Sequence, residues 1–153
     1  MASIDRSDPI ILGHVLAEHQ ELFNRLTMAR RAFALQAAPA GDEFESLRQC
    51  LIGLRSHLHE HFTQEERGGF LEEAVARMPR LGSAVADLVS QHPLLLAELD
   101  KIIDSLPSSI ETVAAWQEAG QTFATFAAHM MAHERHENAV VQEGYNEDLG
   151  LVD

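Results

Sequence analysis

His57-x-x-x-His61-x-x-x-Glu65 recurs as His129-x-x-x-His133-x-x-x-Glu137, each position 72 residues further on. The same offset carries Leu47, Leu51, Leu54 and Leu58 onto Ala119, Phe123, Phe126 and Met130. Upstream of each motif a second match runs at 73 residues. It places Leu12, Val15, Leu16, His19, Leu22, Phe23 and Leu26 on Val85, Leu88, Val89, His92, Leu95, Leu96 and Leu99. Apolar residues in both copies recur at i, i+3, i+4 and i+7, and no stretch of any length alternates with period two, so the repeated unit is helical. Two copies of one helical hairpin facing each other across a pseudo-two-fold axis predict an all-α chain. The expected architecture is an up-down-up-down four-helix bundle.

The breakers mark the expected boundaries. Asp8-Pro9 reads as the N-cap and first position of a helix running to about Leu35, where Ala-Ala-Pro-Ala-Gly interrupts it. Asp42 is the expected cap of the second helix, which Gly68-Gly69 should end in a left-handed turn. A short helix is expected between Phe70 and Leu81, stopping before Pro79. The third long helix follows over about Ser83 to Ser105, with Pro93 either kinking it or marking a restart capped by Ser90. The fourth should open after Ser108-Ser109 and end near Gly144. These bounds give one domain over residues 8–143 and a polar tail over 144–153.

Composition narrows the chemistry. Against 24 Asp+Glu the 153 residues carry only 11 Lys+Arg, a formal charge of -13, and the basic residues are scattered. That balance repels phosphate backbones and anionic membrane surfaces, so no nucleic-acid and no membrane partner is expected. No stretch nears the roughly 18 consecutive apolar residues of a membrane span, and Met-Ala-Ser-Ile-Asp-Arg lacks the regions of a signal peptide. A cytoplasmic location is the expectation. Cys50 is the only cysteine, so any metal must be held by imidazole and carboxylate, and nine histidines are present to do it.

Rotation at about 100° per residue sorts those histidines. His19 and His92 fall at the centre of the apolar stripes of the first and third long helices. Glu65 and Glu137 fall at the centre of the second and fourth, with His61 and His133 within about 50°. Six polar side chains, His19, His61, Glu65, His92, His133 and Glu137, therefore point at one interior. Burying two unpartnered carboxylates would cost several kcal/mol each, and no Lys or Arg lies at their level, so a metal is the natural counter-charge. A lone histidine on an apolar face is more often a hydrogen-bonded core residue, but here four histidines and two glutamates recur as matched pairs at offsets of 72 and 73. His57 and His129, about 90° from the stripe centre, remain open as outer partners, extra ligands or solvated side chains. His14, His59 and His136 read as surface residues, Tyr145 as a surface position near a helix end, and Met130 as an inward-facing packing residue.

These motifs make the chain resemble the hemerythrin-like, histidine-histidine-glutamate cation-binding family. The resemblance covers about residues 8–143 and is carried by Ala-Glu-His19-Gln-Glu-Leu, His61-Phe-Thr-Gln-Glu65-Glu, Gln-His92-Pro-Leu-Leu and His133-Glu-Arg-His-Glu137. It implies a non-haem di-iron centre, two iron ions bridged by oxo or hydroxo, with Glu65 and Glu137 bridging and the histidines terminal. Zinc or manganese would be substitutes. A ferritin-like site would need Glu-x-x-His, and no histidine here has a glutamate three residues before it.

The chain also departs from that pattern. The oxygen-carrying members present His-x-x-x-His on the third helix and His-x-x-x-x-Asp on the fourth, where this chain has Leu96 and Glu137. Four histidines instead of five would leave both metals about five-coordinate, each with an open position. His57, His129 or Glu134 would be able to fill a vacancy. Glu134 follows His133 at the edge of the inward face, where some iron-sensing members carry a further carboxylate, and its repeat partner is Phe62.

The resemblance thus implies a protein that binds or reacts with oxygen, peroxide or nitric oxide in stress handling or sensing. A small diatomic ligand or peroxide is the expected partner, the chain acting as a monomer or homodimer. An iron-binding, iron-sensing or storage module without turnover, signalling through a protein partner, is the alternative. A helical interaction domain with a vestigial site is a third class. No catalytic residue and no substrate pocket is legible in the sequence.

Overall fold

The computed structural model describes residues 19–107 and 110–150, and among them no strand occurs. The elements in order are α1 (19–33), α2 (Asp42–Glu66), α3 (Phe70–Arg77), a 3-10 turn (Pro79–Leu81), α4 (Gly82–Ser105) and α5 (Val113–Gly150). The expected opening at Asp8-Pro9 lies outside the described residues, as does Ser108-Ser109. None of the described helices is long and apolar enough to cross a membrane.

Several boundaries differ from expectation for local reasons. Asp42 is the first helical residue of α2, not its cap. The capping place is taken by Gly41 at φ 57, a backbone conformation that a residue with a Cβ resists. Asp42, Glu43 and Glu45 then oppose the positive end of the helix dipole. Gly68, at φ 80, ends α2 as the glycine pair predicts. The short helix α3 stops at Arg77, before Pro79 as expected, and Pro79 then opens a separate 3-10 turn.

Pro93 does not restart α4, which is continuous through it. The Ser90 hydroxyl donates back to the Asp87 carbonyl at 2.7 Å instead of capping. Thr112 caps α5, accepting the Ala115 N–H at 3.2 Å. Gly144 does not end that helix. A Cβ placed there would stand 2.9 Å from Cβ of Ala74, so this glycine lets α5 lie close against α3. Just beyond it Tyr145 is buried, with the Arg77 guanidinium 4.0 Å from its ring centroid, contrary to the expected surface position.

Among the described residues two apolar clusters result. The larger draws Leu22, Leu26 and Phe33 from α1, Leu51, Leu54 and Leu58 from α2, Leu95 and Leu99 from α4, and Phe123, Phe126 and Met130 from α5. The smaller joins Leu71 and Ala74 of α3 to Met78, Leu81, Leu88, Val140, Val141 and Tyr145. Phe23, expected within the α1 stripe, is 49% exposed at its edge. On α4, His92 falls between Leu88 and Leu95, and on α5, His133 and Glu137 fall between Met130 and Val140. The polar side chains therefore occupy a layer between the two clusters.

Candidate metal centre

Residues four apart lie on one face of a helix, so His61 and Glu65 of α2, and His133 and Glu137 of α5, project into the same layer. α1 adds His19 and α4 adds His92. His61, Glu65, His92, His133, Glu134 and Glu137 are all buried, while the His19 side chain is 15% exposed.

These side chains form two groups of potential metal ligands. His19, His61, Glu134 and Glu137 each bring a donor atom within 4.8 Å of the others' donors, and Glu65, His92, His133 and Glu137 do the same. Glu137 belongs to both. Its Oε1 lies 3.6 Å from Nε2 of His19 and its Oε2 lies 3.2 Å from Nε2 of His133. Glu65 straddles the groups in the same way, with Oε1 against Nε2 of His61 and Oε2 3.3 Å from Nε2 of His92. Glu134 faces the first group only, its oxygens 2.9 Å from His19 Nε2 and 3.6 Å from His61 Nε2.

Outer partners orient two of the rings. His92 Nδ1 lies 3.1 Å from the Glu66 carboxylate, and His133 Nδ1 lies 2.8 Å from the Gln91 side-chain oxygen. A carboxylate or carbonyl oxygen can only accept, so both Nδ1 atoms donate and the opposite Nε2 lone pairs are left facing the interior. There Nε2 of His92 and of His133, both oxygens of Glu65 and of Glu134, and Oε2 of Glu137 are buried without a hydrogen bond of good geometry. Convergent buried donor atoms in that state fit a cation. The residues are positioned to hold a metal ion, and imidazole with carboxylate suits iron, manganese or zinc alike.

In the absence of a cation, protons balance the carboxylates. Burial disfavours charge on His19, but Glu134 and Glu137 outweigh it and raise its pKa to about 9. Burial is likewise outweighed at His61 by Glu134 and Glu65, which hold it at about 11. His92 is raised against its burial by Glu65 and Glu66. Burial would lift Glu134, but His19 and His61 bring it down to about 2, and His61 with His92 lowers Glu65. Glu137 moves the other way, because burial and repulsion from Glu65 and Glu134 exceed the pull of His133 and His19.

All six side chains that the stripes direct inward thus fall in the two groups, joined by Glu134. His57 lies outside both, its ring parallel to that of His61 with centroids 6.4 Å apart. His129 also lies outside, 57% exposed and held 3.0 Å from Glu98. Their place about 90° round from the stripe centres puts them at the rim. His59 and His136 are exposed, and His14 is not among the described residues. Sequence reasoning missed the supporting roles of Glu66 and Gln91. The available signal was adjacency: one follows Glu65 and the other precedes His92.

Comparison with family models, with curated proteins and with solved structures returned no match for this chain.

Proposed function

We propose that this chain is a hemerythrin-like protein whose α1, α2, α4 and α5 form an up-down-up-down bundle of two pseudo-symmetric hairpins around two iron ions. It binds or reacts with oxygen, peroxide or nitric oxide in stress handling or sensing. The observation that supports this most is the pair of buried ligand groups sharing Glu137, with Glu65 reaching into each. A pair of cations side by side is what two carboxylates with one oxygen toward each group would suit.

In this reading His19, His61, Glu134 and Glu137 hold one ion and Glu65, His92, His133 and Glu137 the other. Bound iron would supply Lewis acidity and one-electron chemistry toward a small ligand. The chain supplies the rest. Glu66 and Gln91 hold His92 and His133 in the tautomer with the proton on Nδ1, which leaves the Nε2 lone pair free to ligate. Leu58, Phe62 and Met130 keep bulk water from the layer, and the three carboxylates offset most of the charge of two divalent cations.

The test is elemental analysis of protein purified without added metal, followed by the visible spectrum with and without peroxide. Two irons per chain and a charge-transfer band that changes on adding peroxide are expected. One zinc or no metal, or a spectrum without any such band, would refute the reading.

A second reading is favoured by Glu134. With Glu65 reaching in as well, Glu134 is a fifth protein donor at the first position and reduces the room for an outside ligand, which suits an iron-binding or iron-sensing module that signals through a protein partner without turnover. It expects two irons and a strong loss of thermal stability on chelation, with a spectrum indifferent to peroxide.

A further inference from the structure

The two ligand groups differ where the internal repeat breaks. Glu134 stands 72 positions after Phe62, so the place that carries a carboxylate beside His19 and His61 carries an aromatic ring beside His92 and His133. That ring stacks on His92 with centroids 3.9 Å apart and planes within 6°, and meets His133 edge-on at 5.6 Å. The first group therefore has a third carboxylate where the second has an apolar roof.

Access differs in the same direction. His19 and Glu134 line a cavity of about 120 Å³ between α1 and α5, together with Phe23, Met131, Arg135 and Asn138. By contrast the side chains of His92 and His133 are only 2% and 1% exposed. Their Nδ1 atoms are tied to Glu66 and Gln91, so neither ring can turn away without breaking a hydrogen bond.

We propose that the two positions hold their cations unequally. The position of His19, His61, Glu134 and Glu137 exchanges its divalent cation through the α1–α5 cavity, and the position of Glu65, His92, His133 and Glu137 retains its own. Losing a cation requires water to enter and donors to swing aside in turn. Glu134 borders a cavity into which its carboxylate can rotate, making it the exchange ligand of the first position. At the second position the same event would have to displace Phe62 and undo two outer hydrogen bonds. The proposal rests on the two-cation reading above.

Full-length protein loaded with Zn(II) and mixed with excess chromophoric chelator reports release directly. Two phases of one equivalent each are expected, separated by at least about tenfold in rate. Glu134→Gln should speed the fast phase at least about tenfold, or remove that equivalent altogether, with the slow phase changed by less than about twofold. Gln91→Ala should speed the slow phase about 10–100-fold, the usual effect of removing a ligand's outer partner, and spare the fast one. Phe23→Trp, which narrows the cavity without touching a ligand, should slow the fast phase alone. Uptake of fewer than two equivalents by the unaltered chain would defeat the two-cation reading itself. Two equivalents released in a single phase would overturn the unequal positions and leave that reading standing. So would an equal effect of Glu134→Gln on both phases, or a slow phase that keeps its wild-type rate in Gln91→Ala.

Discussion

Filling the site should expel protons, in a number set by the two most perturbed histidines. At pH 7.5, His19 with a pKa of about 9 and His61 with a pKa of about 11 are each more than about 95% protonated in the metal-free protein. An imidazolium has no lone pair to give, so both protons must leave before Nε2 can ligate. Binding two divalent cations at pH 7.5 is therefore expected to release about two protons. The displacement opposes binding by about 7 kcal/mol at this pH, from the gaps between 7.5 and the two pKa values at 1.36 kcal/mol per unit. By linkage, the overall binding constant should climb about 100-fold per pH unit around pH 7.5. Near pH 9.5 His19 has mostly lost its proton, and the count should drop by about 0.7. Calorimetry of Zn(II) binding in buffers of different ionisation enthalpy gives the proton count at each pH. Release of less than one proton at pH 7.5, or a binding constant flat between pH 7 and 8.5, would refute the reasoning.

The same protons make the metal-free protein's stability pH-dependent. The stabilisation from His19 is fully present below about 6.5 and lost as pH rises through about 9, while that from Glu134 is present above 4.5 and lost as pH falls through about 2. Urea midpoints should therefore be highest between about pH 4.5 and 6.5, and a maximum above pH 9 would contradict the assignment. Chelation of the loaded protein should lower its melting temperature by about 10–20 °C, since two cations at 100 times their dissociation constants contribute about 5 kcal/mol. An unchanged value in differential scanning calorimetry would exclude cation-linked stability. Gly144→Ala is expected to destabilise by about 1–3 kcal/mol, because its Cβ would fall 2.9 Å from Cβ of Ala74; a neutral result in denaturant titration would mean that α3 is free to move off α5. His129→Ala should leave metal uptake by elemental analysis at the wild-type level, because that ring is exposed against Glu98.

Helix content was legible because its signal is periodic and long. The stripe of Leu47, Leu51, Leu54 and Leu58 repeats as buried Phe123, Phe126 and Met130, and no single substitution could disguise that spacing. The ends of helices depend on single residues whose roles are interchangeable on paper. Asp42 is a good capping residue and also a good first-turn residue, and Gly41 beside it decided between them by accepting φ 57. Gly144 illustrates the same ambiguity at the other end of the fold. Glycine both stops helices and lets them approach, and only the presence of Ala74 opposite selects the second.

The site was legible to the depth at which one helix face determines direction. Rotation about each axis is enough to send His19, His61, Glu65, His92, His133 and Glu137 inward and to push His57 and His129 to the rim. It says nothing of how far one helix stands along another, and that displacement decides which inward residues share a cation. A strict two-fold repeat would pair equivalent residues, with one glutamate between them from each half. In the structure Glu134 joins the His19 group, and its repeat partner Phe62 stacks on His92. One substitution in the pattern thus turns two like halves into two unlike positions. Its consequence needed the third dimension, because Glu134 and His19 are remote in sequence and meet only when α1 lies against α5.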